Sequence, residues 1–258
     1  MRRHLRILDF AISGLLRARA RSLVVVSVYS VLVCLFASLL LFVNALQRET
    51  HRLLDASPDL IVQRIRGGRY ELMPVERAGP IREIRGVVGV TPRVWGYSFD
   101  PPTGATLTVW GADSVPDGAL EFREGALPGE GDPQVCVVGS GVAEERFLGT
   151  GDRLPLKTAD GELLAPRVTG IFTARSGLLT NDLVVLPGET ARQLLGMTAE
   201  QCTDLAVSVR NPLEVDTVAR KISEAWPDAR AVSREQILRT YDAVFDWRGG
   251  LWAAFLIS

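Results

Sequence analysis

The feature that most constrains this chain is an uncharged apolar run from Leu23 to Leu46, in which 16 of 24 residues are Leu, Val or Phe. A helix rises about 1.5 Å per residue, so the run reaches roughly 36 Å, and the hydrocarbon core of a bilayer is about 30 Å thick. The alternative is a buried core helix, but such a helix rarely needs so long an unbroken apolar run. The sequence therefore predicts a transmembrane helix over residues 22–46.

The charges on either side of this run predict its orientation. Before the run there is one acid, Asp9, and there are six arginines: Arg2, Arg3, Arg6, Arg17, Arg19 and Arg21. The residues after Leu46 carry a nearly balanced set of charges. Because the basic flank of a membrane helix stays in the cytoplasm, we expect a cytoplasmic N-terminus and a main domain outside the cytoplasm; in a bacterium this means the cytoplasmic (inner) membrane and the periplasm. The long run and a poor cleavage site at Val43–Ala45 argue against a cleaved signal peptide.

Residues 1–21 are predicted to form a cytoplasmic amphipathic leader. Leu5, Leu8, Ile12 and Leu15 fall on one helical face, and basic residues flank them. A helix of this kind lies along the inner leaflet with its apolar face in the acyl boundary. The alternative is a simple extension of the membrane helix into water.

Net charge separates the leader from the rest of the chain. The whole chain has a formal charge of −1, yet the part after residue 21 holds 23 basic and 29 acidic residues, a net of −6. An acidic exterior argues against nucleic acid as a partner, since phosphates repel it. The predicted partner at this level is the lipid bilayer itself.

Two β–α–β patterns predict one split α/β lobe over residues 58–119 and 201–232. In the first pattern a strand at Asp59–Ile65 is followed by a helix over 75–85 and a strand at Val87–Phe99. Thr106–Trp110 is predicted to pair with that last strand. In the second pattern the elements are a strand, a helix and a short strand: Asp204–Val209, a helix capped by Asn211-Pro212 and Ala229–Val232. We expect one sheet with helices on one face, assembled from both halves.

The residues between these patterns predict an inserted β-rich lobe over 120–200. Its strands are expected at Gln134–Val138 and Asp182–Leu186, with a helix at Gly188–Leu195. Residues 153–172 are predicted to form a hairpin with Asp160-Gly161 at its tip. The exterior cysteines, Cys136 and Cys202, could form a disulfide, or each could be a small core residue.

Both connections to the membrane are predicted to be helices. Residues 47–57 read as a stalk helix that continues the membrane span, and residues 233–248 read as a second stalk helix. Residues 249–258 are wholly uncharged and follow Trp247, which suits a membrane interface. We expect them to begin a second, truncated transmembrane helix; the alternative is a short apolar tail packed on the domain.

The residues indicate no enzymatic chemistry. The two histidines, His4 and His51, stand outside the exterior domain proper, which removes a Ser–His dyad and a His-based zinc site. Gly139-Ser140-Gly141 follows a strand, but Glu144 replaces the third glycine of a dinucleotide fingerprint. A nucleophile elbow fails there as well, because valines stand at its glycine positions. We therefore assign no catalytic, cofactor-binding or metal-binding residue and expect no cofactor.

Several segments resemble the permease subunits of MacB/FtsX/LolC-type ABC transporters. The opening strand Pro58–Gln63 is similar to that of their exterior domain, and Ile84–Val87 followed by Val90-Thr91-Pro92 resembles a step that comes after it. The run from Val137 to Leu156, with Gly151-Asp152 within it, also resembles these permeases. The order of these weak patterns covers nearly the whole chain.

This resemblance implies a permease that pairs with a cytoplasmic ABC ATPase and couples ATP hydrolysis to movement of the exterior domain, for export, lipoprotein release or mechanotransmission. It implies a homodimer or heterodimer of permeases and a periplasmic adaptor or lipoprotein as a further partner. Because such permeases have four membrane helices, we expect a fragment, a truncated product or half of a split permease. The alternative function is a single-pass anchored binding or sensor domain, whereas an exterior hydrolase has no supporting residues.

Overall fold

A computed structural model describes most of the chain in two compact units. The units are residues 1–50 and 51–258, and each is described here by itself. The described residues are 19–55, 58–115, 120–128, 132–174 and 181–245. Most of the predicted leader and the predicted start of a second membrane helix at 249–258 lie outside these ranges.

Helix α1 runs without interruption over Arg19–Asp55. Among the described residues it is the one helix long and apolar enough to cross a membrane, with a span of 20 residues from Leu23 to Phe42. None of these residues is buried, which a core helix of a soluble protein would require. This confirms one N-terminal candidate membrane helix. The helix also contains residues 47–55 of the predicted stalk, and Pro58 follows soon after its end, where proline suits a helix stop.

The second unit contains fifteen described strands and five described α-helices. The strands are β1 (Leu60–Arg66), β2 (Arg69–Glu71), β3 (Met73–Pro74), β4 (Val87–Arg93), β5 (Trp95–Asp100), β6 (Ala105–Gly111), β7 (Leu120–Glu124), β8 (Val135–Gly139), β9 (Leu156–Lys157), β10 (Leu163–Leu164), β11 (Arg167–Ala174), β12 (Leu183–Leu186), β13 (Gln201–Cys202), β14 (Asp204–Val209) and β15 (Ala229–Ser233). The helices are α2 (Ala78–Arg82), α3 (Ser140–Arg146), α4 (Gly188–Leu195), α5 (Val215–Ala225) and α6 (Arg234–Phe245). The described part is therefore an α/β domain, as predicted.

The first large sheet has the order β15-β1-β14-β4, and β2 adds to β1 as a hairpin. Strand β1 is antiparallel to both β14 and β15, and β14 is antiparallel to β4. Each β–α–β unit is thus split, because a strand of the other unit lies between its two parallel strands. The two halves of the chain contribute to one sheet, as the two sequence patterns predicted, and the structure shows that their strands interleave.

Alternating apolar residues explain why this sheet carries its helices on one face. Leu60 and Val62 are fully buried and stand opposite Val207 and Leu205, so all four point to the same side. Helix α5 buries Ile222 in the same hydrophobic cluster, and α2 adds its own buried residues. Each fully buried side chain of this size contributes roughly 1.5–3 kcal/mol.

The second large sheet has six strands in the order β5-β6-β12-β8-β11-β7. It is mixed: β6 and β12 are parallel, as are β8 and β11, while the other neighbours are antiparallel. Helix α4 packs beside it and ends at Gly196, whose φ of +69° is a left-handed conformation that glycine adopts without a Cβ clash. The β-rich part of the chain is therefore a real second sheet.

The sheet topology moves the expected boundary between the lobes. The sequence placed residues 58–119 in the first lobe, but β5 and β6 pair with each other inside the six-stranded sheet. The predicted single strand Val87–Phe99 is two strands that belong to different sheets and are separated by the buried Val94. One hydrophobic cluster contains residues of both sheets, so the two lobes share a core.

The predicted hairpin over 153–172 is much shorter than expected. Strands β9 and β10 form a pair of only two residues each around the Asp160-Gly161 turn. Strand β11 instead pairs in parallel with β8 and antiparallel with β7, because its apolar residues Val168 and Phe172 are buried in the six-stranded sheet. Burial against neighbouring strands prevails over the local turn signal.

The two exterior cysteines are free thiols inside the core. Cys136 lies on β8, whereas Cys202 lies on β13 and its Sγ is 3.3 Å from the carbonyl oxygen of Met73. Burial raises the pKa of each thiol to about 12. Both cysteines are therefore protonated core residues, and of the two readings of the sequence the core reading is correct.

Candidate functional site

The segment that invited a catalytic interpretation is an ordinary strand-to-helix turn. Gly139 ends β8 with φ −66° and precedes helix α3, which begins at Ser140. Glu144 and Glu145 are exposed on that helix. Within the described residues, no group of three His, Cys, Asp or Glu side chains is placed to hold a metal ion. The features that can carry function are instead the ion pairs that join separate parts of the chain.

The first joint, which we call the base clamp, lies where the chain enters the split sheet at β1 and leaves it after β15. Asp59 precedes β1 and accepts a hydrogen bond of 2.7 Å from the guanidinium of Arg234, the first residue of α6. The backbone N–H of Arg234 also donates to the carbonyl oxygen of Asp59. The second carboxylate oxygen of Asp59 accepts from the backbone N–H of Val209 at 2.8 Å.

The base clamp follows from the pairing of the two strands next to it. Leu60 stands opposite Ser233 in the sheet, so the residues just outside them, Asp59 and Arg234, come together. The two side chains are 22% and 32% exposed, respectively, so water competes for both. A partly hydrated ion pair therefore joins the segment before β1 to the first residue of helix α6.

The second joint, which we call the junction, lies where the chain crosses between the two large sheets. Arg93 at the end of β4 donates two hydrogen bonds, of 2.6 and 2.7 Å, to the carboxylate of Asp204 at the start of β14. The indole N–H of Trp95, the first residue of β5, donates to the same carboxylate at 3.0 Å. Asp204 is fully buried, and these three donors compensate its charge.

Short hydroxyl contacts fix the backbone on both sides of the junction. The Thr203 hydroxyl accepts from the backbone N–H of Trp95 at 3.0 Å and donates to its carbonyl oxygen at 2.6 Å. The Ser114 hydroxyl accepts from the backbone N–H of Val94 at 2.8 Å. Hydrogen bonds of buried or half-buried groups therefore hold the backbone at Val94 and Trp95, where the chain passes from one sheet to the other. These bonds make the junction a stiff connection.

A third ion cluster anchors the far end of β1. Asp228 accepts two hydrogen bonds of 2.9 Å from Arg77 and one of 2.9 Å from Arg64. The hydrogen bonds from Arg77 are the main reason that the pKa of Asp228 falls from 3.8 to about 2; burial opposes this change, and the hydrogen bond from Arg64 adds to it. The cluster ties the turn after α5 to the segment before α2 and to β1.

Sequence reasoning did not identify any of these three clusters. Their partners are separated by more than 100 positions: 175 for Asp59 and Arg234, 111 for Arg93 and Asp204, and 151 for Arg77 and Asp228. The available signal was local, since each aspartate stands directly beside the first residue of a strand or begins one. Partners at such distances become visible only when the strand order is known.

Several known proteins are similar to this chain. The family model described as MacB-like periplasmic core domain matches residues 24–225. The periplasmic region of MacB from Actinobacillus actinomycetemcomitans is 12% identical, with 71% of this chain and 92% of that chain covered and a TM-score of 0.48. The extracellular domain of the noncanonic ABC-type transporter YknZ from Gram-positive bacteria is 10% identical, with 67% and 99% covered and a TM-score of 0.48. No curated protein sequence matches the chain.

The family match extends from the apolar helix through the end of α5, so it includes the whole six-stranded sheet and every strand of the split sheet except β15. A match of this extent shows the family directly. The chain belongs to the MacB-like periplasmic core domain family, the family of extracytoplasmic domains of ABC-type transporter permeases.

Proposed function

We propose that this chain is a permease subunit, or its N-terminal part, that couples ATP hydrolysis by a partner ABC ATPase to movement of its extracytoplasmic domain. The observation that carries the proposal is the base clamp. It joins the segment that follows the membrane helix to the first residue of the second stalk through Asp59 and Arg234. A displacement of either connection therefore reaches the same point of the domain.

The mechanism needs a stiff element between the membrane and this point. Helix α1 continues from the apolar span, which ends at Phe42, as far as Asp55, only four residues before Asp59. An uninterrupted helix transmits displacement as a rigid body, because its backbone hydrogen bonds resist bending. The stiff junction then carries the motion from the split sheet into the six-stranded sheet. Export of a substrate, lipoprotein release and mechanotransmission are the outputs that such a movement serves.

A flexible insertion tests this mechanism against the single-pass sensor alternative. A Gly-Ser segment of ten residues placed after Asp55 behaves as random coil and removes the mechanical connection without touching the folded domain. The matched control is the same insertion after Gly161, in the exposed β9–β10 turn. Export or release is measured in the assembled permease with its ATPase at equal expression. We expect loss of ATP-dependent output for the first insertion alone. Full output from the Asp55 insertion variant, equal to that of the Gly161 control, would contradict force transfer through α1.

The orientation of the chain is part of the same proposal. The six arginines of the leader place the N-terminus in the cytoplasm and the domain after α1 in the periplasm of the inner membrane. Alkaline phosphatase fused at Gly161 is expected to be active, because that enzyme works only outside the cytoplasm. A cytoplasmic reporter that is active at Gly161 would reverse the orientation and rule out coupling to a cytoplasmic ATPase.

A further inference from the structure

A groove with a volume of about 310 Å³ lies between helix α5 and the first turns of helix α6. Its floor is made of small residues, among them Ala219. The α5 wall carries Asp216 and Arg220, which are one helical turn apart, and the α6 wall carries Glu235 and Arg239 with the same spacing. Each wall therefore presents one acid and one arginine to the other wall.

The charges on the two walls are complementary. A hydrogen bond with Glu235 is the main reason that the pKa of Arg239 is raised, and the charge of Asp216 on the other wall adds to it. Arg239 thus lies on the side of the groove that Asp216 faces. The remaining charges, Arg220 and Glu235, line the same groove one turn away and have opposite signs.

In the structure each of the two arginines is bound to an acid of its own helix. Arg239 donates to Glu235 at 2.5 Å, and Arg220 donates to Glu224 at 2.6 Å. The four side chains are at least 60% exposed. Ion pairs with this exposure are weak, because water solvates each partner nearly as well. Either arginine can therefore exchange its acid at little cost.

Helix α6 is attached to the domain at its first residue. The base clamp holds Arg234 by its side chain and by its backbone N–H. The side chains of residues 235–240 are half-buried or exposed, so their movement breaks no fully buried packing. Helix α6 can therefore pivot at the base clamp.

We propose that α6 closes on α5 by this pivot and exchanges both ion pairs, a closed position that we call the latch. Arg239 then binds Asp216 across the groove. Arg220 then binds Glu235 and releases Glu224, which stays exposed to water. Two ion pairs within helices become two ion pairs between helices. The latch goes beyond the proposed function, because it sets the position of the second stalk helix whether or not an ATPase drives the domain.

Second-site rescue tests the latch in the full chain. Arg239→Glu repels Glu235 on its own helix and Asp216 across the groove, so it should favour the open position. Adding Asp216→Arg restores attraction across the groove and leaves the repulsion within α6 unchanged, so it should favour the latch. The matched control is Arg230→Glu, the same charge reversal at an exposed position of β15 outside the groove lining.

The readout is the distance between the two helices. Spin labels are attached at Thr217→Cys and Thr240→Cys, which are exposed positions outside the groove lining. The background is Cys34→Ser, since the other cysteines are buried, and labelled chains are diluted into unlabelled ones so that distances arise within one chain. A thermal melt checks that each variant is folded, as expected for changes at exposed positions.

The double variant is expected to raise the ratio of short to long distances at least about tenfold relative to Arg239→Glu. The control is expected to match the chain without a charge reversal. An equal ratio in the single and double variants would overturn the latch. A control that shifts as much as the double variant would overturn it as well, because the effect would then be one of net charge.

Discussion

The base clamp and the junction use the same two residue types in opposite surroundings. At the junction the side chains of Arg93 and Asp204 are 15% and 0% exposed, whereas at the base clamp those of Arg234 and Asp59 are 32% and 22% exposed. An ion pair near water contributes about 0–1 kcal/mol, because solvation replaces what the pair loses. Breaking a buried pair by removing one partner costs about 3–5 kcal/mol, because the remaining charge is stranded.

The difference assigns separate mechanical roles to the two joints. The junction connects the sheets through a charge that cannot be exposed at small cost, so the two sheets are expected to move together. The base clamp can open and close at small energetic cost, so in the proposed mechanism it is the point at which motion enters the domain.

The largest effect is expected from deletions that respect or violate the sheet topology. Removing 120–200 from residues 47–247 leaves β5 and β6 without the rest of their sheet, and we expect no cooperative thermal transition. Removing 95–202 and joining the ends with Gly-Asn-Gly closes a β4–β14 hairpin, because Thr203 N–H already bonds the carbonyl oxygen of Arg93. This second protein is expected to melt cooperatively. Thermal melts followed by circular dichroism compare the two proteins. A cooperative transition in the first protein and none in the second would refute the shared sheet as the folding unit.

The next effect is expected from the junction carboxylate. Asp204→Ala strands the Arg93 guanidinium and leaves the Trp95 indole N–H unpaired, so unfolding free energy should fall by about 3–5 kcal/mol. Asp216→Ala, at an exposed position on α5, is the control and should stay within about 0.5 kcal/mol. Urea denaturation measures both. The double variant Arg93→Met with Asp204→Leu should recover part of the lost unfolding free energy. If its loss equalled the sum of the losses of Arg93→Met and Asp204→Leu made singly, the buried ion pair would not be the cause.

A smaller effect with a defined pH dependence is expected from Asp228. Its pKa is lowered from 3.8 to about 2 in the folded domain, so its contribution to stability is complete above about pH 4–5 and disappears as pH falls through about 2. Asp228→Asn should therefore destabilise the domain at pH 7, and the difference from wild type should shrink between pH 4 and about pH 2. Denaturation across this range tests the sign. If the stability difference between wild type and Asp228→Asn grew as the pH fell, the pKa of Asp228 would not be lowered in the folded domain.

The smallest change in stability is expected at the base clamp. Asp59→Asn keeps an acceptor for the Val209 N–H but removes the charge that holds Arg234, so stability should fall by no more than about 1 kcal/mol. The same variant should nevertheless lower ATP-dependent output of the assembled permease, because only the backbone contact then joins Asp59 to Arg234. A loss of stability as large as that of Asp204→Ala would remove the contrast between the joints.

Local patterns predicted the elements that local chemistry determines. Helix α4 spans Gly188–Leu195 as predicted, because it follows Pro187 and ends at the left-handed Gly196. Strand β14 likewise follows the apolar alternation of Asp204–Val209. The sharing of one sheet by the two β–α–β units was predicted as well, but the interleaved strand order β15-β1-β14-β4 was not.

Long-range partners decided the features that the sequence did not show. The strand pattern of Val87–Phe99 continues through Val94, yet the chain changes sheet there, because Arg93 binds Asp204 and Trp95 binds Thr203. This change of sheet could not be read from neighbouring residues.

The most direct test of the account is a distance measured between the two sheets while the permease works. Spin labels at Tyr70→Cys on β2 and Arg123→Cys on β7 report one exposed position on each sheet. The background is Cys34→Ser, with labelled permease diluted into unlabelled copies so that distances arise within one chain. Pulsed electron resonance then compares the nucleotide-free and ATP-bound states of the assembled permease. The account predicts superimposable distance distributions, since the junction holds the sheets together; a shift or a second population that appears with ATP would contradict it.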